Sequence, residues 1–151
     1  MNEAELNAGL PATPQYRYAD RLDDHLFVAG QVPLDSHGHL VGSEDPSAQA
    51  LQCLRNLERL LAVHGFQVTD IRQLVVYVVG NQASLSAAWS AVAGWFGGQV
   101  PPATLLGVAG LGYVGQLVEI DTTIIKALGH RIASHHMTPK FSIEWMHNNR
   151  L

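Results

Sequence analysis

The chain has 151 residues, the size of one ordinary domain, and 47% of them are hydrophobic while 15% are charged. This composition supports a buried core and excludes a disordered chain. The formal net charge of −4 and the lack of a basic cluster exclude the electrostatic footprint of a nucleic-acid-binding protein. Its apolar stretches are too short to span a bilayer, and Cys53, its only cysteine, excludes an intrachain disulfide. These features predict a cytoplasmic protein with no membrane partner.

The N-terminal part of the chain predicts an arm followed by two short strands. Residues 1–14 contain Pro11 and Pro14 and show no periodicity, so they are predicted to be a loose arm. A short edge strand is predicted at residues 16–20, and the apolar run at residues 25–29 predicts a stronger one.

A turn and a long helix are predicted next. Residues 34–42 contain typical turn residues. Asp45 is a favourable N-cap, Pro46 suits the first helical position, and Gly65 suits the C-terminal end. Leucines recur at helical spacing between them, at Leu51, Leu54, Leu57 and Leu61. Gln52, Arg55, Glu58 and Arg59 lie between these leucines and are expected on the polar side.

The second half of the domain alternates strands with a helix. Residues 71–79 are β-rich and apolar, which predicts a central strand covered on both faces. A helix capped by Ser84 is predicted over residues 84–96. Strands are predicted at residues 103–109 and 117–126.

The order of elements predicts an α+β fold with one mixed sheet and both helices on one face. Each helix is expected to connect strands that lie side by side in parallel. The face of the sheet without helices must then be covered by other residues, and we expect association with another subunit to cover it. The domain is predicted at residues 15–126, after the 1–14 arm. Residues 127–151 are predicted to be a C-terminal extension whose histidines lack the spacing of a metal site.

Several short motifs resemble the Rid (YjgF) family when they are taken together in this order. They are LFVAGQVPLD from Leu26, LVG from Leu40, QALQCLRNLERLLAVHG from Gln49, PPAT from Pro101 and LVEID from Leu117. The resemblance implies a chorismate-mutase-like homotrimer with a small-molecule cleft at each subunit interface. It also implies hydrolysis of reactive enamines and imines to ketones and ammonia, without a metal or an organic cofactor.

The resemblance assigns three pocket residues directly. Tyr16 matches a tyrosine near the start of family domains, and Gly30 matches a glycine whose backbone N–H faces the ligand. Glu119 matches the glutamate that positions the attacking water. The residues alone leave other roles open, since Tyr16 can pack on the sheet edge, Gly30 can end a strand and Glu119 can face solvent.

Four positions depart from the family pattern. Thr104 stands where the resemblance implies an arginine that binds the substrate carboxylate. Leu106 replaces a small polar or thiol residue, Ala29 replaces a serine, and Trp89 replaces an asparagine. A threonine hydroxyl supplies one neutral hydrogen bond where a guanidinium supplies two charge-assisted ones. The substitutions predict a larger and less charged ligand.

Two hypotheses about function follow. The first is a metal-independent hydrolase that acts on a small reactive enamine, imine or related carbonyl compound, with Glu119 handling water or a proton. The second is a non-catalytic trimer that binds a small molecule on the same scaffold, because a fold does not determine a function. Nucleic-acid cleavage is disfavoured by the net charge.

Overall fold

The computed structural model describes residues 2–127, and the predictions for residues 128–151 lie outside this range. Three α-helices, five strands and one 3₁₀ turn (Val68–Asp70) are present in the described chain. In chain order the helices and strands are α1 Glu3–Asn7, β1 Ala19–Leu22, β2 His25–Val28, α2 Pro46–Val63, β3 Ile71–Val79, α3 Gln82–Trp95, β4 Ala103–Val108 and β5 Val118–Ile125.

The five strands form one mixed sheet in the order β1-β2-β5-β3-β4. β3 and β4 are parallel, while the other neighbouring pairs are antiparallel. Helices α2 and α3 pack on each other and on the sheet, so the predicted mixed sheet with both helices on one face is confirmed. The expectation that each helix connects parallel neighbours holds for α3 but is wrong for α2. The last strand, β5, lies between β2 and β3 and pairs with both, and the order of elements along a chain does not encode this insertion.

The sheet has one face under the helices and one open face, which we define as the side away from α2 and α3. On β5, Val118, Ile120 and Ile124 are buried on the helix side. The alternating residues from Glu119 to Ile125 point the other way and remain partly accessible. The prediction that residues 71–79 are covered on both faces is therefore wrong for a single chain.

Exposed apolar side chains mark the open face. Phe27 is 51% exposed, Ile125 37% and Leu106 44%, and each belongs to a different strand of the sheet. Large apolar groups in water on one face of a sheet are typical of a surface that another molecule covers.

Helix α2 begins and ends as predicted. The Asp45 side chain accepts a hydrogen bond from the Ala48 N–H at 3.1 Å, and Gly65 has a φ of +74°, the left-handed conformation that glycine favours. Leu54, Leu57 and Leu61 are buried.

Three buried amides of α2 hold neighbouring loops. Asn56 donates to the carbonyls of Val32 and Leu34, both at 2.9 Å. Gln52 was expected on the polar side of the helix, yet it is only 7% exposed and donates to Asn56 at 3.0 Å. Gln49 is fully buried and bonds to two other loops. A buried amide satisfies loop carbonyls that would otherwise lose their hydrogen bonds to water.

Helix α3 begins earlier than predicted. Its N-cap is Asn81, whose side chain accepts from the Ser84 N–H at 3.0 Å, so Ser84 lies inside the first turn rather than at the cap. Both residue types are good caps, and the periodicity of the helix does not distinguish between positions three residues apart.

The N-terminal arm is docked rather than loose. It contains the short helix α1, and the Glu5 carboxylate contacts the His64 ring at 2.8 Å. Leu10 is 1% exposed and packs with Tyr18 and Leu60. Prolines exclude a long helix in this segment, but they do not prevent it from packing on the domain.

Strand ends also differ from the predictions. The strand expected at residues 16–20 forms at Ala19–Leu22, because it pairs with β2 through a tight turn in which Asp23 has a φ of +51°. The other strands agree to within one residue at each end. Within residues 2–127, no helix is both long and apolar enough to cross a membrane.

Candidate functional site

A cleft of about 380 Å³ opens where the arm, the end of β2, the β4–β5 loop and β5 meet. Ligand sites for small molecules have volumes of about 300–1,000 Å³. The residues that line the cleft are Pro14, Tyr16, Ala29, Gly30, Val32, Gly112, Tyr113 and Glu119. The structure therefore brings together four of the residues selected from the sequence, Tyr16, Ala29, Gly30 and Glu119.

Glu119 and Gly30 are in close contact. Glu119 lies on β5 with its carboxylate on the open face, and Gly30 follows β2 next to the Gln31–Ile120 bridge. A Cβ atom at Gly30 would lie 2.6 Å from Oε2 of Glu119, so only glycine leaves room for this carboxylate. Within residues 2–127 the Gly30 N–H has no hydrogen-bond partner. A free amide donor and a carboxylate oxygen thus line the same cleft.

Gln116 orients the Glu119 carboxylate. Its Nε2 donates to Oε1 of Glu119 at 3.2 Å and to the Val118 carbonyl at 3.0 Å, and its Oε1 accepts from the Tyr113 N–H at 3.2 Å. Gln116 itself is only 4% exposed. In the described part of the chain it is the sole hydrogen-bond donor to the Glu119 carboxylate.

Tyr16 and Tyr113 form the wall opposite Glu119. Burial, a hydrogen bond with Tyr113 and the negative charge of Glu119 raise the pKa of Tyr16. Tyr16 therefore keeps its proton at neutral pH and presents a neutral hydroxyl to the cleft. The arm fixes this residue, because the Asn2 amide donates to the Tyr16 carbonyl at 3.1 Å.

Thr104 and Leu106 lie elsewhere on the open face. Leu106 pairs with Tyr77, and Tyr77 pairs with Glu119, so these three residues form one row across β4, β3 and β5. Adjacent strands lie about 4.8 Å apart, which places Leu106 roughly 10 Å from Glu119. Thr104 occupies the next row on the same strand and is exposed.

Trp89 lies on α3, partly buried against the core on the helix side of the sheet. It does not line the Glu119 cleft within residues 2–127 of one chain. Its predicted contact with a ligand therefore remains a prediction that needs a neighbouring subunit.

The sequence reasoning missed Tyr113 and Gln116. Both belong to the glycine-containing segment between β4 and β5, where no periodicity indicates which side chains turn inward. One sequence feature could have indicated Gln116. It is a polar residue three positions before Glu119, close enough along the chain for the two side chains to meet.

Cys53 is a buried residue of α2. It has no exposed surface, and its Sγ contacts the Val118 carbonyl at 3.7 Å. Burial and the nearby Glu119 charge raise its pKa well above the usual value, which keeps the thiol protonated. A nucleophilic role is therefore disfavoured on physical grounds.

Comparison with known proteins agrees with this architecture. The sequence profile of the family described as endoribonuclease L-PSP, which includes the Rid, YjgF and RutC proteins, matches residues 7–126. The chain belongs to this family. A RutC family protein of Pyrococcus horikoshii is 32% identical over 72 residues, which is 48% of this chain and 56% of that relative. The chain thus matches little more than half the length of this relative.

Two further relatives of the Rid family extend over more of the domain. A RutC family protein of Sinorhizobium fredii is 29% identical over 115 residues, covering 75% of this chain and 88% of the relative. The crystal structure of the Rid protein YyfA from Yersinia pestis superposes with a TM-score of 0.70 at 27% identity, covering 80% of this chain and 94% of the other.

Proposed function

We propose that this Rid family chain is a metal-independent hydrolase that converts a small reactive imine or enamine to a carbonyl compound and ammonia. In the imine form, the oxygen of a water molecule bonds to the imine carbon, and the carbon–nitrogen bond then breaks. Glu119 accepts a proton from the water and gives it to the nitrogen, which yields a carbinolamine. As the carbon–nitrogen bond breaks, Glu119 takes the hydroxyl proton of the carbinolamine and gives it to the leaving nitrogen. One imine and one water thus give one carbonyl compound and one ammonia.

The pairing of Glu119 with Gly30 carries this proposal. Oε2 of Glu119 lies against Gly30, which also lines the cleft, while Oε1 accepts from Gln116, so Oε2 can accept a proton from water. The Gly30 N–H lines the same cleft and can donate to a substrate carboxylate or carbonyl oxygen. Together they can place a water and a polar substrate group side by side.

The threonine at position 104 favours a substrate with little negative charge. The resemblance implies an arginine at this position, and a buried carboxylate bound by threonine instead would lose about 2–5 kcal/mol of binding free energy. The residues that define the cleft include Glu119 and neither lysine nor arginine. Within residues 2–127 of one chain, a polyanion such as RNA would therefore meet no lysine or arginine in the cleft.

We further propose that the chain acts as a homotrimer with the cleft completed by a neighbouring subunit. The open face supports this, because Phe27, Leu106 and Ile125 leave apolar surface in water in a single chain. Thr104 and Leu106 lie on this face, away from the Glu119 cleft of their own chain, where a second subunit could bring such residues to the ligand.

A non-catalytic binding protein is the second candidate, and Thr104 is the observation that favours it. Loss of the carboxylate-binding cation would remove the usual way of fixing a substrate against Glu119. The same cleft would still bind a small neutral molecule against Tyr16 and Tyr113.

An ammonia-release assay separates the two candidates. The wild-type protein would be mixed with freshly generated 2-aminoacrylate and with uncharged imines of larger apolar ketones, and ammonia would be measured against the uncatalysed rate. Hydrolase function predicts turnover with at least one imine and a loss of about a hundredfold or more in Glu119→Gln. The glutamine retains size and the acceptor for Gln116, so the variant is expected to fold.

No turnover with any imine, in a protein whose fold is verified by circular dichroism, would reject the hydrolase. Calorimetry with the corresponding neutral ketones would then test the binding protein, and an absence of heat in both the wild type and Glu119→Gln would reject that candidate as well.

A further inference from the structure

The orientation of the Gln116 side chain is determined by three contacts. Its carbonyl oxygen accepts from the Tyr113 N–H, which can only donate. Its NH₂ group donates to the Val118 carbonyl, which can only accept. The second proton of this NH₂ group is directed to Oε1 of Glu119. A flipped amide would break all three contacts, so the donor must face the carboxylate.

From this geometry we infer that Gln116 is a positioning residue that makes Oε2 the single working oxygen of Glu119. The inference rests on the proposed hydrolase function. The amide donor occupies Oε1, and a proton there would collide with the NH₂ group. A proton taken from water is therefore carried by Oε2, on the side of Gly30 and the cleft.

A second buried glutamine makes this arrangement rigid. The side-chain oxygen of Gln49 accepts from the Leu117 N–H at 2.7 Å, and its Nε2 donates to the Gly115 carbonyl at 3.1 Å. The residues on either side of Gln116 are thus bonded to helix α2. A carboxylate oriented by a fixed donor needs no reorganisation during the reaction.

The titratable groups around the carboxylate come from four elements. Tyr16 approaches from the arm, Tyr113 from the β4–β5 segment and Tyr77 from β3, opposite Glu119 in the sheet, while Cys53 lies beneath β5 on α2. Burial raises the pKa of Tyr16 and of Cys53, so both keep their protons at neutral pH, and in the described chain the Gln116 amide is the donor that bonds to the Glu119 carboxylate.

Two substitutions at Gln116 and one matched control test the inference. Gln116→Leu keeps the volume but removes the donor. It should lower kcat for ammonia release about tenfold, the effect of one hydrogen bond to a charged group, while KM changes less than about twofold. The acidic limb of its pH–rate profile should move to higher pH, because a donor to the carboxylate favours the ionised form.

Gln116→Glu separates the hydrogen bond that residue 116 donates to Glu119 from the one that it accepts from the Tyr113 N–H. The new carboxyl can still accept from the Tyr113 N–H. While protonated it can donate its single O–H to Oε1, which leaves the Val118 carbonyl without this donor, but once ionised it repels Glu119. Activity should therefore be near that of the wild type at low pH and fall as the pH rises. Gln52→Leu, which also removes a buried glutamine, should leave kcat and the pH profile unchanged.

A readout independent of catalysis distinguishes this inference from the proposed function. The ¹⁵N-labelled side-chain amide of Gln116, assigned from its loss in Gln116→Leu, should shift in Glu119→Ala. If the amide shifts in Glu119→Ala while the wild type releases no ammonia from any imine, the contact is supported and the hydrolase is rejected. An unshifted amide would overturn the inference. The inference would also be overturned if Gln116→Leu and Gln52→Leu had the same kcat and the same pH profile.

Discussion

Gly30 and Glu119 approach each other so closely that a Cβ atom on the glycine would lie 2.6 Å from the carboxylate oxygen Oε2. The atom that blocks this Cβ is the far end of a flexible side chain, not backbone. A larger residue can therefore be accommodated in the fold, but only if the carboxylate moves away from the cleft.

Gly30→Ala should consequently impair function far more than stability. A displacement of the reacting group by about 1 Å can cost roughly a hundredfold in rate, and we expect a loss of this size in ammonia release. The melting temperature should change little.

The matched control for this substitution is Gly94→Ala on α3, where an added Cβ meets no atom within 4 Å. Alanine in a helix is more favourable than glycine by about 0.5–1 kcal/mol, so this variant should be slightly more stable and fully active. Equal activity in the two alanine variants would show that the reaction does not depend on the position of the Glu119 carboxylate beside Gly30.

Thr104→Arg should raise the affinity for small carboxylates such as benzoate or 2-oxobutyrate. A guanidinium can form two charge-assisted hydrogen bonds to a carboxylate, and we expect at least about a tenfold gain in calorimetry. Thr104→Gln adds length without charge and should give no gain. If Thr104→Arg keeps the fold and the oligomeric state yet gains no affinity, Thr104 does not face the ligand.

The wild-type protein should have the mass of three chains in light scattering at micromolar concentration. Phe27→Lys places a charge on the open face and should shift the mass towards one chain, since burying an unpaired ammonium is costly. Leu6→Lys changes a similarly exposed apolar residue on α1, away from the open face, and should remain trimeric. A wild type with the mass of one chain would refute the trimer.

Leu10→Ala should destabilise the domain although Leu10 belongs to the N-terminal arm. Truncating a buried leucine costs about 2–5 kcal/mol in the free energy of unfolding, and Leu10 is 1% exposed beside Tyr18. Leu6→Ala removes the same atoms from a side chain that is 47% exposed and should cost less than about 0.5 kcal/mol. Urea unfolding measures both, and equal values would mean that the arm is not docked in solution.

Local sequence signals were sufficient for most of the helices and strands and for half of the residues that line the cleft. Asp45 and Pro46 begin α2 because capping and proline geometry act within one turn of the chain. The strand predicted at residues 117–126 forms at Val118–Ile125. The resemblance to the Rid family likewise selected Tyr16, Ala29, Gly30 and Glu119, which the structure gathers in one cleft.

Long-range pairing decided the rest. The position of β5 between β2 and β3 is what brings Glu119 beside Gly30, 89 positions earlier in the chain, and no periodicity encodes which strands become neighbours. The docking of Leu10, the inward turn of Gln116 and the burial of Gln52 likewise depend on contacts with distant segments. By itself the sequence determined most of the segments that form helices and strands and the apolar face of each, because those properties depend on near neighbours. Only the tertiary structure decided that the Gln116 amide bonds to Oε1 of Glu119 rather than to Oε2, because that choice depends on contacts across the fold.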